Sequence, residues 1–182
     1  MLLTGLAPIA GPSARILILG SMPGAASLAQ QSYYAHPANA FWSLLGSVLG
    51  CEFPADQAAR GRLLIRHRIA LWDVVHRCRR SGSLDSAIER ASVEPNDLPG
   101  LLRQYPLIEY VFFNGAAAET LYRRHLRARI DVIRPGLCCH RLPSSSPANA
   151  SWTRARKLAA WQAIAVALSG AGSHGTVLDI RA

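Results

Sequence analysis

Two segments of the chain carry residue types from which a pocket for a flat heterocycle could be built. The first, YYAHPANAFW at residues 33–42, supplies aromatic rings and the neutral amide of Asn39. The second, ILILGSMPG at residues 16–24, is typical of a buried strand followed by a turn, in which Pro23 stiffens the backbone and Gly24 lets it come close to a ligand. Together they predict a pocket that holds a flat heterocycle and acts on its bond to a sugar.

Acidic and metal-binding residues offer weaker alternatives. Asp73 is the lone acid near a predicted strand end and could act as a base, but a carboxylate that caps a turn beside Trp72 is the favoured interpretation. A zinc site would need ligands from a scattered set: His76, Cys78, Cys138, Cys139 and His140. Their spacing fits no zinc or iron–sulfur pattern. We therefore predict no metal, and cysteines (Cys51 among them) that are buried, inert thiols.

The elements that must position these residues follow from hydrophobic periodicity. Strands are predicted at residues 15–19, 69–75, 108–113 and 137–142. Helices are predicted at residues 40–49, 60–68, 84–91, 97–105 and 116–126, and as one long last helix from residue 151. Strands that alternate with helices predict a three-layer α/β/α sandwich around a central, mostly parallel, four-stranded sheet. We expect a single domain over residues 1–170 and a flexible tail over 171–182.

The segments between these elements carry predictions of their own. Residues 20–38 are expected to be a long functional loop, and residues 76–83 an exposed basic loop. Asn96 and Ser151 are candidate helix caps. The last helix is expected to bury Trp152, Leu158, Trp161, Ala165 and Leu168 on one face.

Three predicted strands end in polar or turn-forming residues, and in a parallel sheet those ends meet at one edge. They are followed by the turn at residues 20–24, by Asn114, and by the serine-rich loop at residues 143–149. Asn114 could face a pocket there or could cap the helix that starts at Ala116.

Charge favours a polyanionic partner. The chain has 20 Lys+Arg against 11 Asp+Glu, a net charge of +9, although an excess that only aids solubility remains the alternative. Arg154, Arg156 and Lys157 lie in the first turns of the last helix, where the macrodipole disfavours cations. A DNA phosphate could favour them there, and a solvated helix face is the equal alternative. No membrane span and no export signal are expected, which predicts a cytoplasmic protein.

Several other site classes lack their motifs. The sequence contains neither GxGxxG nor GxxxxGK[ST], so nucleotide-cofactor binding is the least supported function, and no organic cofactor is predicted. The nucleophile elbow GxSxG and the zinc motif HExxH are also missing.

Five segments in order resemble the uracil-DNA glycosylase superfamily, most of all its DNA-deoxyinosine (hypoxanthine-DNA) glycosylase branch, which is related to mismatch-specific uracil/thymine-DNA glycosylases. They are ILILGSMPG (16–24), YAHPANAFW (34–42), ALWDV (70–74), FNG (113–115) and LPSSSP (142–147). The resemblance covers most of the chain between residues 15 and 150, and the second segment is its most specific part.

The resemblance implies a monofunctional glycosylase of base excision repair that hydrolyses the N-glycosidic bond of deaminated bases, hypoxanthine first and uracil second. The substrate would be double-stranded DNA with a deaminated or mismatched base, bound by a monomer. Most of the superfamily places an Asp or Asn where this chain has Met22, and its uracil enzymes often have a His where this chain has Leu142. These departures make a catalytically inactive DNA-binding module the alternative.

Residue roles also follow from the resemblance. Asn39 would orient the attacking water, with helix capping as the rival role. Tyr34, rather than Tyr33, would stack on the extruded base. Backbone groups of residues 20–22 (Gly20, Ser21, Met22) and the amide of Asn114 would read the base. A loop pressed into the minor groove and a neighbouring arginine would bind DNA through Ser144, Ser145, Ser146, Pro147, Asn149 and Arg154.

Overall fold

The computed structural model describes residues 2–170, and the predicted flexible tail lies outside these residues. Its strands are β1 (Leu2–Thr4), β2 (Ile16–Gly20), β3 (Ile69–Asp73), β4 (Val75–Arg79), β5 (Glu94–Pro95), β6 (Tyr110–Asn114) and β7 (Cys138–Leu142). Its helices are α1 (Ala25–Gln30), α2 (Phe41–Leu49), α3 (Gln57–Arg66), α4 (Leu98–Gln104), α5 (Ala116–His125), α6 (Arg127–Ile133), α7 (Arg154–Trp161) and α8 (Ala163–Gly170).

The central sheet has the order β3-β2-β6-β7, and every neighbouring pair is parallel. All five residues of β2 are buried because helices cover both faces of the sheet. Ile16 and Ile18 face one layer, with α2, α7 and α8, while Leu17 and Leu19 face the other, with α4, α5 and α6. The predicted three-layer sandwich around a parallel sheet is confirmed.

A second, smaller sheet was not predicted. It has the order β1-β4-β5 and is antiparallel. The expected exposed loop at residues 76–83 is wrong, because β4 extends to Arg79, and both Cys78 and the following Arg80 are buried. The predicted strand at residues 69–75 is therefore two strands in two sheets, since the chain leaves the central sheet after Asp73.

Other local predictions also need correction. The loop at residues 20–38 contains α1, and the helix at residues 84–91 is two 3₁₀ turns, Asp85–Ala87 and Arg90–Ser92. Helix α4 is capped by Asp97, whose carboxylate accepts from Gly100 N–H, because Asn96 is buried and donates to the Asp73 carbonyl. Helix α6 has no counterpart among the predicted helices.

The last predicted helix is two helices, α7 and α8, and its cap is also different. Thr153 accepts from Arg156 N–H at 3.3 Å, so Ser151 is not the cap. Trp161 is buried as predicted, but Trp152 precedes the helix and is exposed.

The cysteines within residues 2–170 differ in burial. Cys78 is buried, whereas Cys138 and Cys139 are exposed on the edge strand β7, so the prediction of buried thiols is wrong for that pair. No group of three or more His, Cys, Asp or Glu residues there could hold a metal ion. None of the helices in this range has the length and apolar character required to cross a membrane.

Candidate active site

A cavity of about 250 Å³ lies beyond the carboxyl ends of β2, β3 and β6. That is below the roughly 300–1,000 Å³ of sites for drug-sized ligands, and it suits one nucleobase. Its lining comes from the three strand ends and four intervening segments: Gly20, Ser21, Met22, Pro23, Gly24, Ala25, Ala26, Ser27, Tyr33, Tyr34, His36, Asn39, Asp73, Ser83, Leu84, Asp85, Asn114, Ser144, Ser145, Ser146, Pro147 and Ala148.

The floor of the cavity is formed by Gly20 and Asp73, which are register partners at the ends of β2 and β3. A Cβ at Gly20 would meet the Asp73 carboxylate and would lie 3.0 Å from the Tyr34 hydroxyl. Glycine at position 20 is therefore what leaves room for both polar groups.

Asp73 is only 3% exposed, and its Oδ2 has no hydrogen-bond partner among the described residues. Burial is the main reason that its pKa rises to about 7, and the nearby charge of Asp85 raises it further, while Arg80 opposes both. The expected turn cap beside Trp72 is wrong, because no backbone N–H reaches the unpartnered oxygen.

Asp85 and Arg80 set the charge near the floor. The Asp85 carboxylate accepts from Ser21 Oγ at 2.6 Å, and burial of that group raises its pKa against the effects of Ser21 and Arg80. Buried Arg80 donates to the carbonyls of Met22, Pro23 and Gly82, which fixes the turn after β2.

Tyr34 lines the cavity, and its backbone adopts the left-handed conformation with φ 52°. One face of its ring stacks on Phe41 at 3.8 Å between centroids, so a flat ligand could stack only on the opposite face. The hydroxyl is buried, and burial raises its pKa, followed by the charge of Asp73. Tyr33 is buried instead and donates to the Ala7 carbonyl at 2.9 Å.

Asn39 borders the cavity just before α2, and its side chain has two functions to serve. Its Oδ1 accepts from Phe41 N–H at 3.0 Å, which is the capping role that rivals catalysis. An amide oxygen has two lone pairs, so the same atom can also accept from a water. Within residues 2–170, no protein group accepts from its Nδ2.

Asn114 ends β6 and is committed to the serine-rich loop. Its Oδ1 accepts from Ser145 N–H at 2.8 Å, and its Nδ2 donates to Ser145 Oγ at 2.9 Å. The alternative that it caps α5 is wrong, because Gly115 is the N-cap and no side chain caps that helix. Gly115, with φ 100°, also leaves room for Ser144.

The serine-rich loop is held mainly by its own hydrogen bonds. Ser145 is 1% exposed, and its carbonyl accepts from Ala40 N–H at 3.0 Å, which ties the loop to the start of α2. Ser144 Oγ accepts from Ser146 N–H, and Asn149 Nδ2 donates to the Ser144 carbonyl. Pro147 is the exposed member of the predicted DNA-binding set in this loop. The Ser145 hydroxyl is not available to a phosphate in this conformation.

The turn over residues 20–22 lines the cavity, but its three carbonyls are all occupied, that of Met22 by Arg80. Those of Gly20 and Ser21 accept from Val74 N–H and Val75 N–H at 2.9 Å. The Met22 side chain packs into a small buried cluster with residues of the second sheet.

The cations of α7 lie apart from the cavity lining. Arg154 is exposed and donates to Ser43 Oγ and Ser47 Oγ on α2. Arg156 stacks over Trp152, and Lys157 is buried, so Lys157 is not a phosphate ligand. Arg154 and Arg156 are the exposed cations of this group.

Comparisons with known proteins identify the family. A family model described as the Uracil DNA glycosylase superfamily matches residues 8–166. The chain belongs to this superfamily. A protein of Methanosarcina acetivorans named hypoxanthine DNA glycosylase is 37% identical over 166 residues, which cover 90% of this chain and 98% of that relative. One of Methanosarcina barkeri with the same name is 36% identical over 84% of this chain and 92% of that relative.

A solved structure agrees with the family match. The solution NMR structure of a candidate uracil DNA glycosylase from Methanosarcina acetivorans has a TM-score of 0.73 and 32% identity, and covers 91% of this chain and 99% of that one. The predicted class of enzyme, a DNA glycosylase, is confirmed by these relatives, which favour it over an inactive DNA-binding module.

The cavity-lining residues of this superfamily member that were missing from the predicted site include four with ionisable side chains or close to one: His36, Asp73, Leu84 and Asp85. Asp73 ends a clear apolar strand, so its position was a usable signal. Leu84 and Asp85 follow β4, whose basic sequence is not typical of a strand. Nothing in the sequence therefore indicated that these two residues lie at the cavity. His36 lies inside the motif at residues 34–42, but no role of its own was predicted for it.

Proposed function

We propose that this glycosylase removes hypoxanthine, and secondarily uracil, from double-stranded DNA that contains a deaminated or mismatched base. The names of the two archaeal relatives support hypoxanthine as the first substrate. The observation that carries the proposal is the position of Asn39, whose amide borders the same cavity as the free face of Tyr34.

Asn39 is the proposed catalytic residue. The glycosidic bond breaks through an oxocarbenium-like sugar, and such a cation needs a well-placed water rather than a strong base. The hydrogen bond from Phe41 N–H holds Asn39 Oδ1 in place, and the second lone pair accepts from the water below C1′. Capping and catalysis are therefore compatible uses of one oxygen.

The proposed base pocket lies between Tyr34 and the strand ends. The base leaves the duplex at a cost of a few kcal/mol, which is least for mispaired bases, and stacks on the free face of Tyr34. Backbone N–H groups of residues 20–22 face its polar edge. Asn114 reaches the base only if its bonds to Ser145 rearrange, so its proposed role in this conformation is to hold the loop.

The proposed DNA interface uses the loop at residues 144–149 and Arg154. Ser144, Ser146, Pro147 and Asn149 lie at or beside the cavity mouth, and exposed arginines add affinity that falls with salt. We propose a single catalytic domain over residues 1–170 that acts as a cytoplasmic monomer, with its cavity lining drawn from residues 20–148. The chain's only lysine, Lys157, is not part of that lining, so Schiff-base lyase chemistry is not proposed.

The test is incubation with duplexes that carry a single deoxyinosine or deoxyuridine, with an undamaged duplex as control, followed by cleavage with alkali. We expect alkali-dependent strand breaks at deoxyinosine, and slower ones at deoxyuridine. Salt-dependent binding without product from either duplex would contradict the proposal and favour an inactive DNA-binding module. Breaks that need no alkali would contradict the monofunctional mechanism.

A further inference from the structure

Asp73 has a buried oxygen that the folded protein does not use. The residue is nine-tenths buried at the end of β3, lines the cavity, and leaves Oδ2 without a hydrogen bond. An ionised carboxylate without donors is costly to bury, whereas the neutral acid costs less and carries a proton to donate. A ligand in the cavity can supply the missing acceptor.

The charged and titratable groups around Asp73 favour that neutral form. Asp85, from the 3₁₀ turn at the rim, repels a second negative charge. The hydroxyls of Tyr33 and Tyr34 also lie near Asp73, but they stay neutral because burial, and then the charge of Asp73, raise the pKa of both. Arg80 opposes the effect of Asp85, but its guanidinium donates to backbone carbonyls of the turn after β2. Burial is the largest cause, and together with Asp85 and against Arg80 it raises the pKa of Asp73 to about 7.

We propose that Asp73, as a neutral acid, protonates a ring nitrogen of the purine while its bond to the sugar breaks, a role that rests on the proposed function. N7 is the ring nitrogen that a purine offers on its outer edge and that a pyrimidine lacks. The proposed acid thus acts on the departing base, whereas Asn39 acts on the water, and the two groups divide the reaction between leaving group and nucleophile.

The step balances. The electron pair of the C1′–N9 bond moves into the purine ring as the Asp73 proton moves to N7, so hypoxanthine leaves as a neutral molecule. The water held by Asn39 gives its oxygen to C1′ and releases one proton to solvent. The Asp73 carboxylate takes a proton from solvent, which restores the acid, and the net reaction is hydrolysis.

Other groups of the lining are poorer donors. The pKa of Tyr34 is raised by burial, which makes its hydroxyl a weaker acid. The Asp85 carboxylate already accepts from Ser21, and His36 is exposed and accepts from Ala38 N–H through Nδ1. Asn39, an amide, has no acidic proton to give.

The test is single-turnover release of hypoxanthine from a deoxyinosine duplex, from about pH 5 to about pH 9. We expect the wild-type rate to fall as pH rises through about 7. Asp73→Asn keeps the shape but has no acidic proton, so its rate should be about 100-fold lower at the acid end and flat with pH. Asp85→Asn removes the charge that favours the neutral acid, so the falling limb should move to lower pH.

Each other result overturns the proposal. An Asp73→Asn rate that follows the wild-type profile means that Asp73 is a bystander. A wild-type rate that rises through the same range means that the carboxylate accepts from the base instead. If circular dichroism shows that Asp73→Asn is unfolded, the pH profile of Asp85→Asn becomes the test. A fall in its rate at the same pH as in the wild type would contradict the role of Asp73 as the acid. Wild-type protein that releases no hypoxanthine at any pH rejects the proposed function itself, which separates the two failures.

Discussion

Asn39 and Asn114 border the same cavity, but their amide groups are used differently. Both amide atoms of Asn114 bond Ser145, which holds the serine-rich loop against the end of β6. Asn39 uses one lone pair of Oδ1 on Phe41 N–H, and within residues 2–170 nothing accepts from its Nδ2. The difference separates a bonded wall (Asn114, Ser144, Ser145, Asn149) from a reactive wall (Gly20, Tyr34, Asn39, Asp73).

The comparison teaches that unused hydrogen-bonding capacity, rather than residue type, distinguishes the two walls. Buried polar groups are normally satisfied within the protein, as on the bonded wall. On the reactive wall, Asp73 Oδ2 is buried without a partner. Such groups lower stability and are typical of sites that are completed by a ligand.

Substitution of each asparagine by alanine should have the largest effects and is the strongest test of the difference between the two walls. Asn39→Ala should lower the single-turnover excision rate about 100- to 1,000-fold, because the water loses its orienting acceptor, a loss similar to removal of one oxyanion-hole donor. Loss of the bond to Phe41 N–H should cost only about 1 kcal/mol of stability. Single-turnover kinetics on a deoxyinosine duplex and urea unfolding measure the two effects.

Asn114→Ala is the matched control on the bonded wall. It leaves the Ser145 N–H and hydroxyl without their partners, so it should lower the free energy of unfolding by about 1–3 kcal/mol, more than Asn39→Ala does. Its effect on the excision rate, measured where the variant is folded, should be the smaller of the two. If Asn114→Ala lowered the excision rate more than Asn39→Ala, the wall that contains Asn114 would be the reactive one.

The pH dependence of the free energy of unfolding of Asp73→Asn is a further test of the reactive wall. The folded-state pKa of Asp73, about 7, lies above its ordinary value of 3.8, so the folded state favours the acid form. The stability from that form is complete below about pH 4 and is lost as pH rises to about 7. The asparagine variant should therefore gain a few kcal/mol over the wild type between pH 4 and pH 8.

Thermal or urea unfolding at both pH values measures this gain. Asp131→Asn, at an exposed carboxylate on α6, is the control and should gain much less. An equal gain for the two variants would mean that Asp73 is not held in an unfavourable charged form at neutral pH.

Tyr34→Ala should slow excision about 5- to 150-fold, which corresponds to loss of about 1–3 kcal/mol of base stacking. Salt-sensitive binding of an undamaged duplex should change little, because that binding depends on phosphates. Tyr34→Phe keeps the ring and its stacking on Phe41, so it should keep the rate. Equal losses of excision and duplex binding in Tyr34→Ala would mean that the ring only supports the fold through Phe41.

Arg154→Ala should have the smallest effect. If Arg154 contacts one phosphate, its removal should lower the slope of log affinity against log salt by about 0.9 and leave stability within about 0.5 kcal/mol. Arg129→Ala, an exposed arginine on α6, which adds no residue to the cavity lining, should leave the slope unchanged. Equal slopes for the two variants would remove Arg154 from the interface.

Much of the fold could be predicted because the central strands are continuous apolar runs, as at residues 16–19, that are buried on both faces. The second sheet could not, since β1 and β5 have three and two residues and show no periodicity. In β4 the arginines point outward around buried Cys78, and the sequence HRCRR has the composition of a loop. Strands of this kind are defined by distant pairing partners, which local sequence does not encode.

The candidate site was predictable to the extent that its residues lie at strand ends or in one motif. Asn39, Tyr34 and Asn114 all border the cavity, as expected. Their hydrogen-bond partners come from elsewhere in the chain, so the sequence left open whether Asn114 caps a helix. The unsatisfied carboxyl of Asp73 depends on which donors the fold brings near it, and that information is tertiary.

The most direct test of the role of Asn39 is a crystal structure of the protein on a duplex with 2′-fluoro-deoxyinosine, whose fluorine disfavours the sugar cation and preserves the substrate. We predict a water within about 2.6–3.2 Å of Asn39 Oδ1, on the face of C1′ opposite the base, while the bond from Phe41 N–H persists. An everted nucleotide whose C1′ faces no water held by Asn39 would contradict the account.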